Sequence, residues 1–87
     1  GCYFMTKKEL IEFALINDIS FSYAGREYFI LQDSNFCICG EYGHDETTIH
    51  FNKYQDVYRN IEDMLENWRL NEVPLNDLVE KIEFYGN

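Results

Sequence analysis

Basic side chains are scarce in this chain: seven lysines and arginines stand against sixteen aspartates and glutamates in 87 residues, for a formal net charge of −9. A surface of that sign repels phosphate backbones and anionic lipid headgroups, which argues against direct nucleic-acid binding and peripheral membrane attachment. Proline occurs once and glycine five times, so there is no flexible linker, no Walker A loop and no dinucleotide-binding glycine pattern, and no cofactor is implied. Long apolar runs are missing as well. Stretches such as Tyr28 to Leu31 fall far short of the roughly twenty residues that cross a bilayer.

Cysteine is limited to three residues, an odd number. Cys37 and Cys39 are one residue apart, and same-side positions on a strand lie roughly 6.5 to 7 Å apart, at the long limit for a disulfide. Reduced thiols, with no secretory signal visible, make the cytoplasm the expected compartment.

What is present is a folded body. Apolar residues make up 46% of the chain and aromatics 17%, well above the content of an acidic disordered segment, and the length suits a single core. Met5 followed by Thr6-Lys7-Lys8-Glu9 reads as a natural beginning. Gly1 to Phe4 then reads as an added remnant or short extension, with residues 5–87 as one α+β domain.

Thr6 and Glu9 form a capping-box pattern, with Met5 and Leu10 placed to staple across it, so a helix starts here. Leu10, Ile11, Ala14 and Leu15 fall on one side, Phe13 and Ile16 widen the stripe, and Asn17-Asp18 ends it. From Ile19 the period becomes two. Ile19, Phe21 and Tyr23 alternate with serines, Ala24-Gly25 makes a turn, and Arg26 to Gln32 returns as a second strand. Asp33-Ser34-Asn35 turns again into a third strand from Phe36 to Glu41. A loop over residues 42–46 leads to a fourth strand from Thr47 to Phe51.

A second helix follows, with Asn52 and Gln55 as a capping pair and Tyr54, Val57, Tyr58, Ile61, Leu65 and Trp68 along its apolar face. Pro74 interrupts the helical pattern. Leu75, Leu78, Val79 and Ile82 form a short third helix or turn, and Glu83-Phe84-Tyr85 adds an edge strand. The expected fold is therefore α+β in the order α-β-β-β-β-α-α. An antiparallel meander of about four strands carries the helices on one face.

The capped second helix leading through Trp68-Arg69-Leu70-Asn71-Glu72-Val73-Pro74-Leu75 into Asp77-Leu78-Val79-Glu80-Lys81-Ile82 resembles a loose group of short, uncharacterised bacterial and phage-encoded proteins. The resemblance implies a fold and no activity. That group often has a glycine where this chain has Asn71-Glu72.

Three site hypotheses follow from the residues. If the larger Phe36 and Ile38 point into the core, Cys37, Cys39 and Glu41 face outward; pairing Glu41 with Thr48 then sets Cys39 opposite His50. Two thiols and an imidazole suit zinc, with His44 as a further ligand, although structural zinc sites more often use Cys-x-x-Cys turns. Small half-buried strand cysteines are the plainer explanation. The same Cys39–His50 pair is a nucleophile–base combination for an enzyme, but no orienting group or oxyanion donor accompanies it.

The third hypothesis is a surface. Asp56, Glu62, Asp63 and Glu66 lie off the apolar stripe of the second helix, and from Glu41 onward eleven acids face four bases. Arg59 is placed to pair with Asp63, whereas Glu62 and Glu66 repel one another. Such a face solubilises a domain, and it also fits a basic protein surface. In its sharpest form it imitates a nucleic-acid strand and blocks a nucleic-acid-binding enzyme, as a phage anti-defence protein would. Tyr42, Tyr58 and Tyr85 are the aromatics expected to be exposed. The chain is thus expected to be a non-enzymatic interaction module, with zinc binding and catalysis as the alternatives.

Overall fold

The Thr6–Glu9 pair does in the structure what its spacing suggests. In the computed structural model, which describes residues 1–86, the Glu9 amide donates to Thr6 Oγ1 at 3.2 Å and the Thr6 amide donates to Glu9 Oε1 at 2.9 Å. These bonds satisfy two amides at the start of helix α1 (Lys7–Ala14), and they hold the exposed Glu9 carboxyl below its usual range. Leu10, Ile11 and Ala14 are buried beneath it, with Met5 in the same core. The helix ends sooner than its apolar stripe suggests. Ile16 lies beyond the last turn and is 83% exposed.

Strands β2 (Ile19–Tyr23), β3 (Arg26–Asp33), β4 (Phe36–Glu41) and β5 (His44–Phe51) form the expected antiparallel meander. Ala24 and Gly25 turn the chain with φ of 51° and 77°, and Gly43 does so between β4 and β5 with φ of 81°. The second helix, α2 (Val57–Asn67), is capped by Asp56, whose Oδ1 accepts from the Tyr58 amide at 2.9 Å. Asn52 and Gln55 were the expected caps. The chain cannot be helical there, because Asn60 holds both backbone groups of Tyr54.

The sheet is larger than the sequence suggests. Strand β1 (Cys2–Phe4) pairs with β8 (Glu83–Gly86), and β8 pairs with β2, so six strands run in the order β1-β8-β2-β3-β4-β5 with antiparallel pairings. Residues 2–4 therefore form an edge strand of the sheet. The Phe84 segment is an interior strand, and Phe84 itself is fully buried. Between α2 and β8, strands β6 (Arg69–Leu70) and β7 (Val73–Pro74) make a small ribbon whose turn places Asn71 and Glu72 at φ of 51° and 67°. In place of a third helix there are two 3₁₀ turns, Leu75–Asp77 and Val79–Lys81.

One core lies between the sheet and the helices. Ile19, Phe21, Tyr28, Ile30 and Phe84 from the strands meet Leu10 and Ile11 of α1, Ile61, Met64 and Leu65 of α2, and Leu75, Val79 and Ile82 beyond it. Phe21 is its aromatic centre, 5.3 Å from Tyr28, 5.9 Å from Trp68 and 5.1 Å from Phe84 between ring centroids. Burying each large aliphatic or aromatic side chain here stabilises the fold by about 1.5–3 kcal/mol before chain entropy is counted.

Among the described residues a single polar side chain lies wholly within this core. Asn60 accepts from the Tyr54 amide at 2.9 Å and donates to the Tyr54 carbonyl at 2.9 Å and the Asn35 carbonyl at 2.7 Å. It thereby joins α2 to the loop before it and to the β3–β4 turn. Replacing Asn60 with alanine removes all three bonds and leaves their backbone partners unpaired, so urea unfolding should show a loss of about 2–4 kcal/mol. A loss below about 1 kcal/mol would mean that these segments are held by packing alone.

Candidate functional site

Strand β4 is turned over relative to the sequence expectation. Cys37 and Cys39 are 1% and 0% exposed and point into the core, whereas Phe36 and Ile38 are half-buried on the outer face. The register accounts for it: Cys39 pairs with Ile49, Ile38 with His50 and Cys37 with Phe51. Glu41 comes opposite His44, not Thr48, after an irregularity between Cys39 and Glu41. A slip of one residue exchanges the two faces of a strand. The small sulfurs face inward because α2 passes directly over them, with the Cys37 thiol 3.9 Å from the Asn60 carbonyl.

This arrangement separates the proposed zinc ligands. Cys37 and Cys39 lie on the inner face, while His50 lies exposed on the outer face with its ring 6.1 Å from that of Phe36. His44 sits at the β4–β5 turn beside Glu41 and Glu46, at 3.4 Å from each. Among the described residues no group of three or more His, Cys, Asp or Glu side chains is arranged to hold a metal ion. The Cys39–His50 nucleophile–base pair is dismantled by the same register. Burial beside Cys37 pushes the Cys39 thiol far up, which opposes the thiolate that catalysis or metal binding needs.

The acidic residues of α2 are placed differently. Glu62 and Glu66 are exposed, Asp63 is half-buried, and the apolar Ile61, Met64 and Leu65 between them are buried. The 3.6-residue period sets the carboxylates on the side away from the sheet. With Tyr54 and Arg59 they line a shallow recess of about 150 Å³. Arg59 does not pair with Asp63 as its spacing suggests; its guanidinium stacks 4.1 Å from the centre of the Tyr54 ring. Asp63 Oδ1 accepts from Asn67 Nδ2 at 2.6 Å. Asp56 has a folding duty as the helix cap, and Glu62 and Glu66 have none visible in the hydrogen bonds.

Charge pairing across the molecule is sparse. Among the described residues one carboxylate, Glu41, forms an ion pair with a lysine or arginine, at 3.1 Å from Arg26. Every other acidic residue except Asp63 is exposed. Tyr42, Tyr58 and Tyr85 are exposed, as expected, at 52%, 39% and 42%. Phe29 is half-buried on the outer face of the sheet against Tyr42, with ring centroids 5.2 Å apart. No described helix is long and apolar enough to cross a membrane.

Comparison with known proteins finds nothing similar to this chain: no protein-family model, no curated protein and no solved structure matches it.

Sequence reasoning missed Asn60, although its signal was present: an amide at a position where the spacing of Val57, Ile61 and Met64 calls for an apolar residue. It also missed the inward thiols. Titration of the native chain with a thiol reagent should modify the exposed Cys2 rapidly, and Cys37 and Cys39 only after denaturant is added. Rapid modification of all three in the native state would contradict the facing of β4.

Proposed function

We propose that the chain is a non-enzymatic interaction module that presents the outer face of α2 to a basic protein surface. The observation that carries this reading is the unpaired state of its carboxylates. Folding uses Asp56 and Glu9 as caps and Glu41 as an ion-pair partner, and leaves Glu62 and Glu66 solvated on a rigid helix. A helix fixed by its buried face holds those charges in place, so a complementary surface meets them without ordering them first. In its sharpest form the face stands in for a phosphate strand and occupies the groove of a nucleic-acid-binding enzyme, such as a defence nuclease. The bacterial or phage cytoplasm is the setting this form requires.

The resident bases modulate the face without cancelling it. Lys7 and Lys8 of α1 share a groove with Glu62 and Glu66, and Tyr58 lies exposed in the same groove. An exposed aromatic beside fixed charges is a suitable anchor for a partner.

The test begins with capture of partners from a bacterial lysate at low salt by the intact chain and by the triple variant Glu62→Lys, Asp63→Lys, Glu66→Lys. The wild-type chain should retain a basic protein whose affinity falls at least tenfold between 50 and 300 mM NaCl. The variant should lose it while keeping the native circular dichroism spectrum. Equal binding by the folded variant would remove α2 as the contact face.

A further inference from the structure

A cleft of about 430 Å³ opens where α2 ends, between the inner face of strands β3 to β5 and the β6–β7 ribbon. It exists because α2 is too short to cover that corner of the sheet. Ile49 faces inward opposite Cys39 yet remains 40% exposed. Ile49 and Leu70 give the cleft apolar walls, the rings of Tyr28 and Trp68 line it, and Arg26 and Arg69 complete it. Two of the three arginines of a strongly acidic chain are thus gathered at one cleft.

Tyr28 and Trp68 are 6% and 4% exposed, and their rings meet edge-on at 5.9 Å. Buried tyrosine and tryptophan normally satisfy their polar atoms. Here neither the Tyr28 hydroxyl nor the Trp68 indole N–H makes a hydrogen bond with the described residues. Among the described residues no fully buried side-chain nitrogen or oxygen lacks a partner, so neither atom is sealed in. Both residues line the cleft.

The electrostatics favour one sign of ligand. Glu41 is the carboxylate in the wall, and it is already held by Arg26 at 3.1 Å, with His44 at 3.4 Å. Among the described residues Arg69 has no carboxylate partner; its Nη1 donates to the Glu72 carbonyl at 2.8 Å, which steadies the side chain and leaves its other donors without a described partner. Burial and the neighbouring Glu41 push the Tyr28 phenol up, so it remains a donor at neutral pH. The uncommitted donors are a guanidinium, an indole N–H and a phenol O–H, beside the neutral side-chain amides of Asn67 and Asn71.

We infer that this cleft binds a small organic anion, its charged head taken by Arg69, Tyr28 and Trp68 and its flat apolar body against Ile49 and Leu70. The size and the mixture of apolar wall with few polar groups are those of small-ligand sites. The site is separate from the acidic outer face of α2 and does not rest on the partner proposed for that face.

Trp68 is the only tryptophan, so its emission reports on the cleft directly. The intact chain is titrated with phenylacetate and with phenyl phosphate, using phenylacetamide and phenethylamine as neutral and cationic controls and the urea-unfolded chain as a control for collisional quenching. At least one anion should give a saturable change, at least tenfold tighter than either control. Arg69→Gln should weaken it at least tenfold, and Tyr28→Phe several-fold, with the fold intact by circular dichroism. Glu62→Lys should leave it unchanged, which separates this result from that of the acidic face. The inference is overturned if neither anion saturates below 10 mM, if phenethylamine binds as well, or if folded Arg69→Gln binds as the wild type does.

Discussion

The structure depends on how α2 is seated on the sheet. Ile61, Met64 and Leu65 supply the burial, and the Asn60 carboxamide supplies the position, by closing three hydrogen bonds to the loop before the helix and to the β3–β4 turn. An apolar side chain at that place would bury as well but would leave the Tyr54 amide and two carbonyls without partners. The demand for satisfied backbone groups therefore sets the rotation of α2 about its axis. Once that rotation is set, Cys37 and Cys39 lie under the helix, Glu62 and Glu66 lie above it, and the corner at Ile49 is left uncovered.

Charge takes little part in holding this fold. Glu9 and Asp56 act at helix starts, where an anion complements the exposed amides, and Glu41 pairs with Arg26. The remaining carboxylates apart from the half-buried Asp63 face water, and at a net charge of −9 they repel one another. Apolar packing carries that cost. The same repulsion makes the surface receptive to a cation-rich partner, while the two arginines at the cleft form a local exception that suits a small anion.

Much of the fold was legible because it is local. The Thr6–Glu9 box, the alternation through Ile19 to Tyr23, the Ala24-Gly25 turn and the stripe of α2 are each set by neighbours within a few residues. The unread parts are long-range. Cys2 to Phe4 becomes a strand, and the Glu83-Phe84-Tyr85 strand lies inside the sheet and not at its edge, because these segments find each other and β2 across the chain, which no local pattern encodes. Alternation showed that Cys37 and Cys39 share a face but not which face. The preference for burying the larger Phe36 and Ile38 fails because α2 packs closely on this strand, with the Cys37 thiol 3.9 Å from the Asn60 carbonyl. The acidic face was legible because exposure follows from the helical period. The cleft was not, because it arises from where α2 stops relative to the sheet.

The central claim is that the net negative charge does not stabilise the fold and is left free at the surface. The most direct test is the thermal midpoint of the intact chain at pH 7 as NaCl rises from 20 to 300 mM. Screening of self-repulsion should raise the midpoint by several degrees, and the rise should disappear near the isoelectric point of about 4.4. A midpoint that falls with added salt would show that the carboxylates are held in stabilising ion pairs, and would contradict the account.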